Sequence, residues 1–355
     1  MRLLFFFKSN NYANLFLLVV FFLSIFFISN QITNDLYLDI KKEAELKNLV
    51  SKSKKIESSS EIRQPLENDN FFDIVIFDRV SKLRESRKID GFGGGEGRHQ
   101  VRWLYQSLEA KVYKAAIDIF GEELLSIYTL IQATYIFATF FIIFLIISHI
   151  YKRYETKIFA LTGLIFFSIF NLIASTGIQS SYTIPEVFFI SLGIYFSIKK
   201  KILFFLIPLF FATINRESGI ALSFVYIIFN HKNIASYFLP LVGFIILAIV
   251  NFDLAKDLNF YKLSFYLPIQ EEYFQKEPSN AQIIVAYLFI LNLIFLSIFA
   301  YLRRINIRYK IQLTLVTVLY FFVAIIGTNH TNVYSLLLMM PSFIVLLASL
   351  SKIKD

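Results

Sequence analysis

The sequence of 355 residues has no cysteine, only four histidines and one tryptophan, and its charged residues make up 17% of the chain. Without cysteine, neither a disulfide nor a thiolate metal site can form. The sequence also lacks a Gly-Lys-Ser or Gly-Lys-Thr phosphate loop, which excludes the most familiar nucleotide-binding motif. The glycine-rich segment 91–97 is not followed by a strand and a helix, so we interpret it as a flexible loop that can close over a substrate.

Hydrophobic residues, by contrast, make up 56% of the chain, and 42 of them are phenylalanine. Several apolar runs of about 18 or more residues are long enough to cross the hydrocarbon core of a membrane. We therefore predict an all-α fold, a polytopic transmembrane helical bundle of about ten membrane segments. These segments cover residues 11–30, 123–150, 157–175, 182–198, 202–214, 217–230, 235–252, 284–302, 311–327 and 332–350.

The same pattern divides the chain into regions. Residues 1–30 form the first transmembrane helix, residues 31–122 a large extracytoplasmic loop, and residues 123–355 a multi-span transmembrane bundle. The loop contains 16 Lys or Arg and 16 Asp or Glu, so the net charge of +9 comes from the short loops between spans. Positive charge in such loops sets membrane topology, and we predict no nucleic-acid partner. Apolar residues recur at helical spacing within 101–120, which predicts amphipathic helices on the membrane surface.

The apolar run 202–230 decides the topology. As a single helix it would be about 43 Å long, well beyond the roughly 30 Å hydrocarbon core. If the run is broken in two, the basic clusters at 199–201 and 303–310 fall on the same side as both termini, which is the cytoplasmic side. A single helix would place the 303–310 cluster outside. We therefore predict a hairpin whose outward-facing tip carries Arg216 and Glu217.

The predicted tip has the sequence Asn215, Arg216, Glu217, Ser218, and an arginine-containing segment, 98–104, precedes the second span. This short stretch and the large first outer loop resemble the GT-C-type membrane glycosyltransferases, multi-pass enzymes that use polyprenyl-phosphate sugar donors. The resemblance implies that an arginine grips the lipid phosphate and that a first-loop carboxylate serves as catalytic base or metal ligand. It implies no certain cofactor, although a divalent metal would fit. The adjacent acidic pair that such enzymes carry after the first span is absent here.

The candidate catalytic carboxylates are Asp73, Asp78 and Glu217. Asp73 and Asp78 are five residues apart, so they share a face on neither a helix nor a strand, which argues against a metal held by this pair. Either can deprotonate an acceptor hydroxyl, and the alternative is a solvated charge on a loop. Glu217 is either the base or a partner that orients Arg216.

The candidate substrate-binding residues begin with Arg216, whose planar guanidinium suits bidentate phosphate binding. Its alternatives are a salt bridge with Glu217 or with a neighbouring helix, or extension of the side chain to the lipid headgroups. Arg98, His99 and Arg102 form a basic cluster that either binds the donor phosphate or anchors a surface helix at the interface.

Two further candidates lie in predicted outer turns. Glu186 directly follows Pro185, a helix-start pattern in which the carboxylate stabilises the first turn, and its alternative is substrate binding. His330 lies in a short outer turn and is a candidate for a hydrogen bond to sugar or phosphate. The four histidines are not spaced as metal ligands, so the sequence predicts no metal site.

The leading hypothesis is an integral-membrane glycosyltransferase that moves a sugar from a polyprenyl-phosphate donor to an acceptor at the outer face of a bacterial inner membrane. Such an enzyme would serve cell-envelope polysaccharide biosynthesis, with the lipid-linked sugar donor and membrane lipids as its partners. A polysaccharide polymerase is an alternative within this class. A secondary transporter or flippase of a lipid-linked or anionic substrate would instead predict inverted repeats and paired broken helices. A membrane scaffold without enzymatic activity would predict scattered polar residues.

Overall fold

The computed structural model describes residues 18–31, 124–150, 183–250, 309–327 and 337–350, with the single positions 112, 115, 119, 162, 163 and 166. All regular structure within these residues is helical, and no strand occurs among them, which confirms the all-α class for this part of the chain. Apart from Gln31 and those single positions, the predicted outer loop 31–122 and the predicted spans 157–175 and 284–302 lie outside the described residues.

Six of the described helices agree with the predicted segments to within four residues at each end, whereas the first begins at Leu18 within the predicted span 11–30 and the last at Met340 within the predicted span 332–350. In chain order they are α1 (Leu18–Gln31), α2 (Leu124–Ile150), α3 (Thr183–Ile198), α4 (Ile202–Asn215), α5 (Ala221–Asn230), α6 (Leu239–Val250), α7 (Lys310–Gly327) and α8 (Met340–Leu350). Short 3-10 turns, Glu217–Ile220 and Ile234–Phe238, lead into α5 and α6.

Among the described helices, α2 contains the one stretch long and apolar enough to cross a membrane, the 22 residues of Thr129–Ile150. The other helices are apolar but shorter. For example, α4 has 14 residues, which corresponds to about 21 Å of helix. The predicted count of about ten membrane segments is therefore not established by helix length alone.

The run 202–230 is broken, as predicted, and the break lies at Arg216. Its backbone is extended, with φ −159° and ψ 148°, which ends α4 after Asn215. The ring centroids of Phe205, near the start of α4, and Tyr226, in α5, are only 4.7 Å apart. Because these residues are on opposite sides of the break, α4 and α5 fold back on each other as an antiparallel hairpin.

The tip of this hairpin, residues 216–220, needs a glycine. The Gly219 N–H donates to the Arg216 carbonyl at 2.9 Å, which closes the turn directly after the break. A Cβ added at Gly219 would collide with the backbone of the preceding helix, at the Ala212 carbonyl group and the Thr213 nitrogen. Every other residue type would therefore push the tip away from α4.

The opposite end of the bundle is basic. The turn between α3 and α4 consists of three lysines, residues 199–201, and is called the basic turn below. Lys199 Nζ lies 3.1 Å from His149 Nδ1 near the end of α2. The side-chain amide of Asn230, the last residue of α5, donates to the Ser197 carbonyl at 2.9 Å. The ends of α2, α3 and α5 thus meet at the basic turn, and the hairpin tip lies at the other end.

Helix α3 packs against α2, α4, α5 and α8 and is the central element of the described bundle. Its contact with α5 is close, since a Cβ at Gly193 would lie 2.5 Å from Leu222 Cδ1. Phe189 of α3 stacks on Phe211 of α4 with centroids 5.5 Å apart. These contacts fix the start of α3 beside the hairpin tip.

The collision at Gly219 generates a stability prediction with a matched control. Gly219→Ala should lower the melting temperature of the purified protein in detergent, because overpacking typically costs about 1–3 kcal/mol. Gly243→Ala, inside α6, is the control, since its Cβ would lie 3.6 Å from Ile220 Cγ1 of the tip, an ordinary van der Waals distance. Alanine is favoured over glycine inside a helix by roughly 0.5–1 kcal/mol, so this variant should melt no lower than wild type. Equal melting temperatures for both variants would refute the packing of the tip on α4.

Candidate functional site

A buried ion pair joins the start of α3 to the hairpin tip. Arg216 Nη1 lies 3.3 Å from Glu186 Oε2, and the side chains are 6% and 0% exposed. The other carboxylate oxygen, Oε1, accepts a hydrogen bond from the Ser218 hydroxyl. Glu186 therefore holds residues of the tip with both of its oxygens. We call Glu186, Arg216 and Ser218 the ion-pair site.

The local sequence explains why these groups meet. Proline is favoured in the first turn of a helix, and a carboxylate there interacts favourably with the helix dipole, so Pro185 and Glu186 suit the start of α3. The structure confirms that Glu186 lies in this first turn. Because the basic turn joins α3 to α4, the start of α3 and the end of α4 lie at the same end of the hairpin. The extended backbone of Arg216 then places its side chain beside Glu186.

The pair as a whole adds little net stability, whereas the loss of one partner is costly. Removing two charges from water is costly, and their mutual attraction often does no more than offset that cost. The separation of 3.3 Å is also longer than the roughly 2.7–2.9 Å usual for charge-assisted hydrogen bonds. Loss of one partner is a different matter, because it leaves an uncompensated charge in an apolar interior. The pair thus fixes the geometry of the tip more than it adds net stability.

Other buried polar side chains lie at the same end of the bundle. The ring centroids of Tyr135 in α2 and Phe188 in α3 are 5.5 Å apart. The turn of α2 that precedes Tyr135 therefore lies beside the start of α3. Two polar side chains in that part of α2, Thr129 and Gln132, are fully buried. So are Thr183 at the start of α3 and Asn215 at the end of α4. Buried polar side chains therefore accompany the ion-pair site at this end of the bundle, and others, such as Asn230 and Ser236, are buried at the basic end.

Of the predicted site residues, the structure describes the side chains of Glu186 and Arg216. It brings Arg216 together with Glu186, so the salt bridge with a neighbouring helix, one of the alternatives for Arg216, is present. Glu217 opens the 3-10 turn directly after Arg216, and the description of this residue extends to its backbone. The remaining candidates lie outside the described residues: Asp73, Asp78, Arg98, His99, Arg102 and His330.

Two contributors were not singled out from the sequence. Ser218 belongs to the predicted tip, but its bond to Glu186 depends on how the tip packs against α3. Tyr320 of α7 is a fully buried tyrosine whose hydroxyl has no hydrogen-bond partner among the described residues. It lies in an apolar run that carries no sequence signal for a site.

The described residues include no group of three or more His, Asp or Glu side chains that could hold a metal ion. Comparison with known proteins finds no matching protein-family model, curated protein or solved structure. The similarity to GT-C-type enzymes therefore rests on the tip sequence and the layout of the chain, and it remains a prediction.

The burial of the ion pair predicts strong coupling between its partners. Glu186→Gln and Arg216→Gln should each destabilise the protein by about 3–5 kcal/mol, since each removes the counter-charge that one buried residue of the pair provides for the other. The double variant, which removes both charges, should lose clearly less than the sum of the single losses. Thermal unfolding in detergent measures all three.

Lys201→Gln is the control for this cycle, because Lys201 is an exposed member of the basic turn. Its removal should change stability by no more than about 0.5 kcal/mol. Additive losses in the double variant would contradict a direct interaction between Glu186 and Arg216.

Proposed function

We propose that the chain is a multi-pass integral membrane protein of a bacterial inner membrane, with about ten membrane segments and both termini in the cytoplasm. The outward faces of α4 and α6 support this proposal. Leu203 is 76% exposed and Phe204 55%, while Leu241 is 57% and Ile249 70% exposed. Apolar faces of this kind are favourable against lipid and a liability in water. The basic turn would then lie at the cytoplasmic face and the hairpin tip towards the outer face.

Within this bundle we propose a glycosyltransferase that uses a polyprenyl-phosphate sugar donor. The observation that carries the proposal is the buried guanidinium of Arg216 at the tip of a broken hairpin, far from the basic turn. A charged residue inside a membrane bundle is costly and is therefore a functional-site hypothesis by default. Short, broken helices are tolerated in a membrane where they line a cavity.

The proposed reaction is a direct displacement. The acceptor hydroxyl loses its proton to a first-loop carboxylate, Asp73 or Asp78, and its oxygen bonds to the anomeric carbon of the sugar. The bond between that carbon and the phosphate oxygen breaks, and the polyprenyl phosphate leaves with the bonding electrons. Arg216 stabilises the charge that develops on this phosphate. The other outer-side candidates would contact the phosphate or the sugar: Arg98, His99, Arg102 and His330.

Glu186 has a supporting role in this proposal. Both of its oxygens are engaged, one by Arg216 and one by Ser218, so it is poorly placed to accept a proton from an acceptor. It orients the guanidinium instead, and it is a positioning residue. The long contact of 3.3 Å suits this role, because a phosphate with two oxygens in reach would form the stronger partner for Arg216.

A secondary transporter or flippase is the second candidate. The observation in its favour is that two short helices, α4 and α5, meet at a buried arginine, as discontinuous helices do at transporter binding sites. A polysaccharide polymerase would share the arginine chemistry of the transferase. The reaction product separates these classes: a transferase or polymerase releases the polyprenyl carrier, whereas a transporter leaves the sugar–phosphate bond intact and moves its substrate across a vesicle membrane.

The phosphate site can be tested without confusing binding and folding. The double variant Glu186→Gln/Arg216→Gln removes both buried charges, so it should remain folded while polyprenyl-phosphate binding weakens by at least tenfold, about 1.4 kcal/mol. Glu186→Gln alone keeps the guanidinium and should retain more binding than the double variant. Binding to purified protein in nanodiscs is the measurement, with the melting temperature as folding control. Equal affinities for wild type and double variant would contradict the phosphate site.

The topology can be tested with single cysteines, because the chain has no natural cysteine. Ser59→Cys, in the proposed outer loop, should react with a membrane-impermeant maleimide in intact cells. Lys201→Cys, in the basic turn, should react only after the cytoplasmic face is opened, as in inverted vesicles. Labelling of Lys201→Cys from outside would reverse the proposed orientation.

A further inference from the structure

Tyr320 has an unusual position for a polar side chain. It lies in α7 and is fully buried, and its Oη has no hydrogen-bond partner among the residues that the structure describes. Burial of an unsatisfied hydroxyl is unfavourable, because the water that would bond to it has been removed. Such a group calls for an explanation other than packing, since phenylalanine would fill the same space without the cost.

The helix geometry places Tyr320 at the height of the ion-pair site. At the basic end, the Asn230 side-chain amide donates to the Ser197 carbonyl at 2.9 Å. The ring centroids of its neighbour Phe229 and of Tyr309 are 5.6 Å apart. Ser197 and Tyr309 therefore mark the same level. From that level Glu186 and Tyr320 each lie eleven residues towards the tip end, which is about 16 Å of helix in both cases.

Helix packing agrees with this placement, since α7 packs against α5 and α8, and both of these pack against α3. Glu186 is not the hydrogen-bond partner of Tyr320, because its two oxygens are engaged by Arg216 and Ser218. The hydroxyl thus lies inside the bundle at the level of an arginine-bound carboxylate without bonding to it. A neutral O–H donor next to a guanidinium is a suitable arrangement for an anion that carries several acceptor oxygens.

We propose that the Tyr320 hydroxyl donates a hydrogen bond to a phosphoryl oxygen of the ligand that Arg216 holds. This inference rests on the proposed phosphate site and adds a neutral donor from α7 to the charged one from the hairpin tip. The two donors would approach the phosphate from different elements, the hairpin tip and α7. The phosphate can belong to a lipid carrier or be a free anion, and the test separates these sources.

The test compares Tyr320→Phe with Tyr226→Phe. Tyr226 is a matched control, since it is also buried but packs on Phe205, closer to the basic end. Each full-length variant is reconstituted in phosphatidylcholine nanodiscs and titrated with a polyprenyl phosphate, with the same polyprenol lacking phosphate, and with inorganic phosphate. The melting temperature without ligand is measured in parallel.

Tyr320→Phe should weaken polyprenyl-phosphate binding roughly tenfold, as expected for loss of a hydrogen bond to a charged group. Its melting temperature should be equal to or above that of wild type, because an unsatisfied buried hydroxyl has been removed. Polyprenol binding should not change, and Tyr226→Phe should bind polyprenyl phosphate like wild type. If inorganic phosphate binds wild type as tightly as the lipid does and shows the same tenfold loss, the contact is supported and the ligand is the free anion.

The inference is overturned if Tyr320→Phe binds polyprenyl phosphate like wild type. If the double variant Glu186→Gln/Arg216→Gln loses binding in that case, the proposed function stands without Tyr320. A lower melting temperature together with unchanged affinity would assign Tyr320 to packing. Absence of phosphate binding by wild type itself would overturn both the inference and the proposed function.

Discussion

The ion pair between Glu186 and Arg216 is the constraint on which the described structure depends. A guanidinium inside an apolar bundle requires a counter-charge, and the start of α3 supplies it. Arg216 can reach that carboxylate because the backbone is extended at this residue, which breaks the apolar run into α4 and α5. Gly219 then lets the chain turn back against α4 without a collision. The helix break, the glycine and the buried charges are therefore parts of one local solution.

The same constraint separates the two ends of the bundle. Asn230 and Ser197 hold the basic end together through a side-chain to backbone bond, whereas the tip end is held by charges. Buried polar side chains occur at both ends, with Thr183 and Asn215 at the tip end and Asn230 and Ser236 at the basic end. Among the described residues, however, the buried charged side chains are those of the ion pair, and this is the reason for proposing a ligand there.

Much of the described fold could be predicted from the sequence, because apolar runs and charge placement report directly on helices and their ends. The break in 202–230 followed from the positions of the basic clusters, and the first turn of α3 followed from Pro185 and Glu186. The partner of Arg216 could not be deduced, since the sequence left open a salt bridge with Glu217, one with a neighbouring helix and extension to the lipid headgroups. Tyr320 could not be deduced either, because its position inside the bundle at the level of Glu186 depends on how α7 packs. Contacts between distant segments require the three-dimensional arrangement.

The central claim is that the ion-pair site binds the phosphate of a lipid-linked sugar. A structure of the full-length protein in nanodiscs with a bound polyprenyl phosphate tests this claim most directly. The account predicts phosphate oxygens within hydrogen-bonding distance, about 2.7–3.2 Å, of the Arg216 guanidinium. It also predicts that Glu186 still contacts Arg216 or Ser218. A phosphate bound elsewhere, with Arg216 still paired with Glu186, would contradict the account and leave the pair with a structural role.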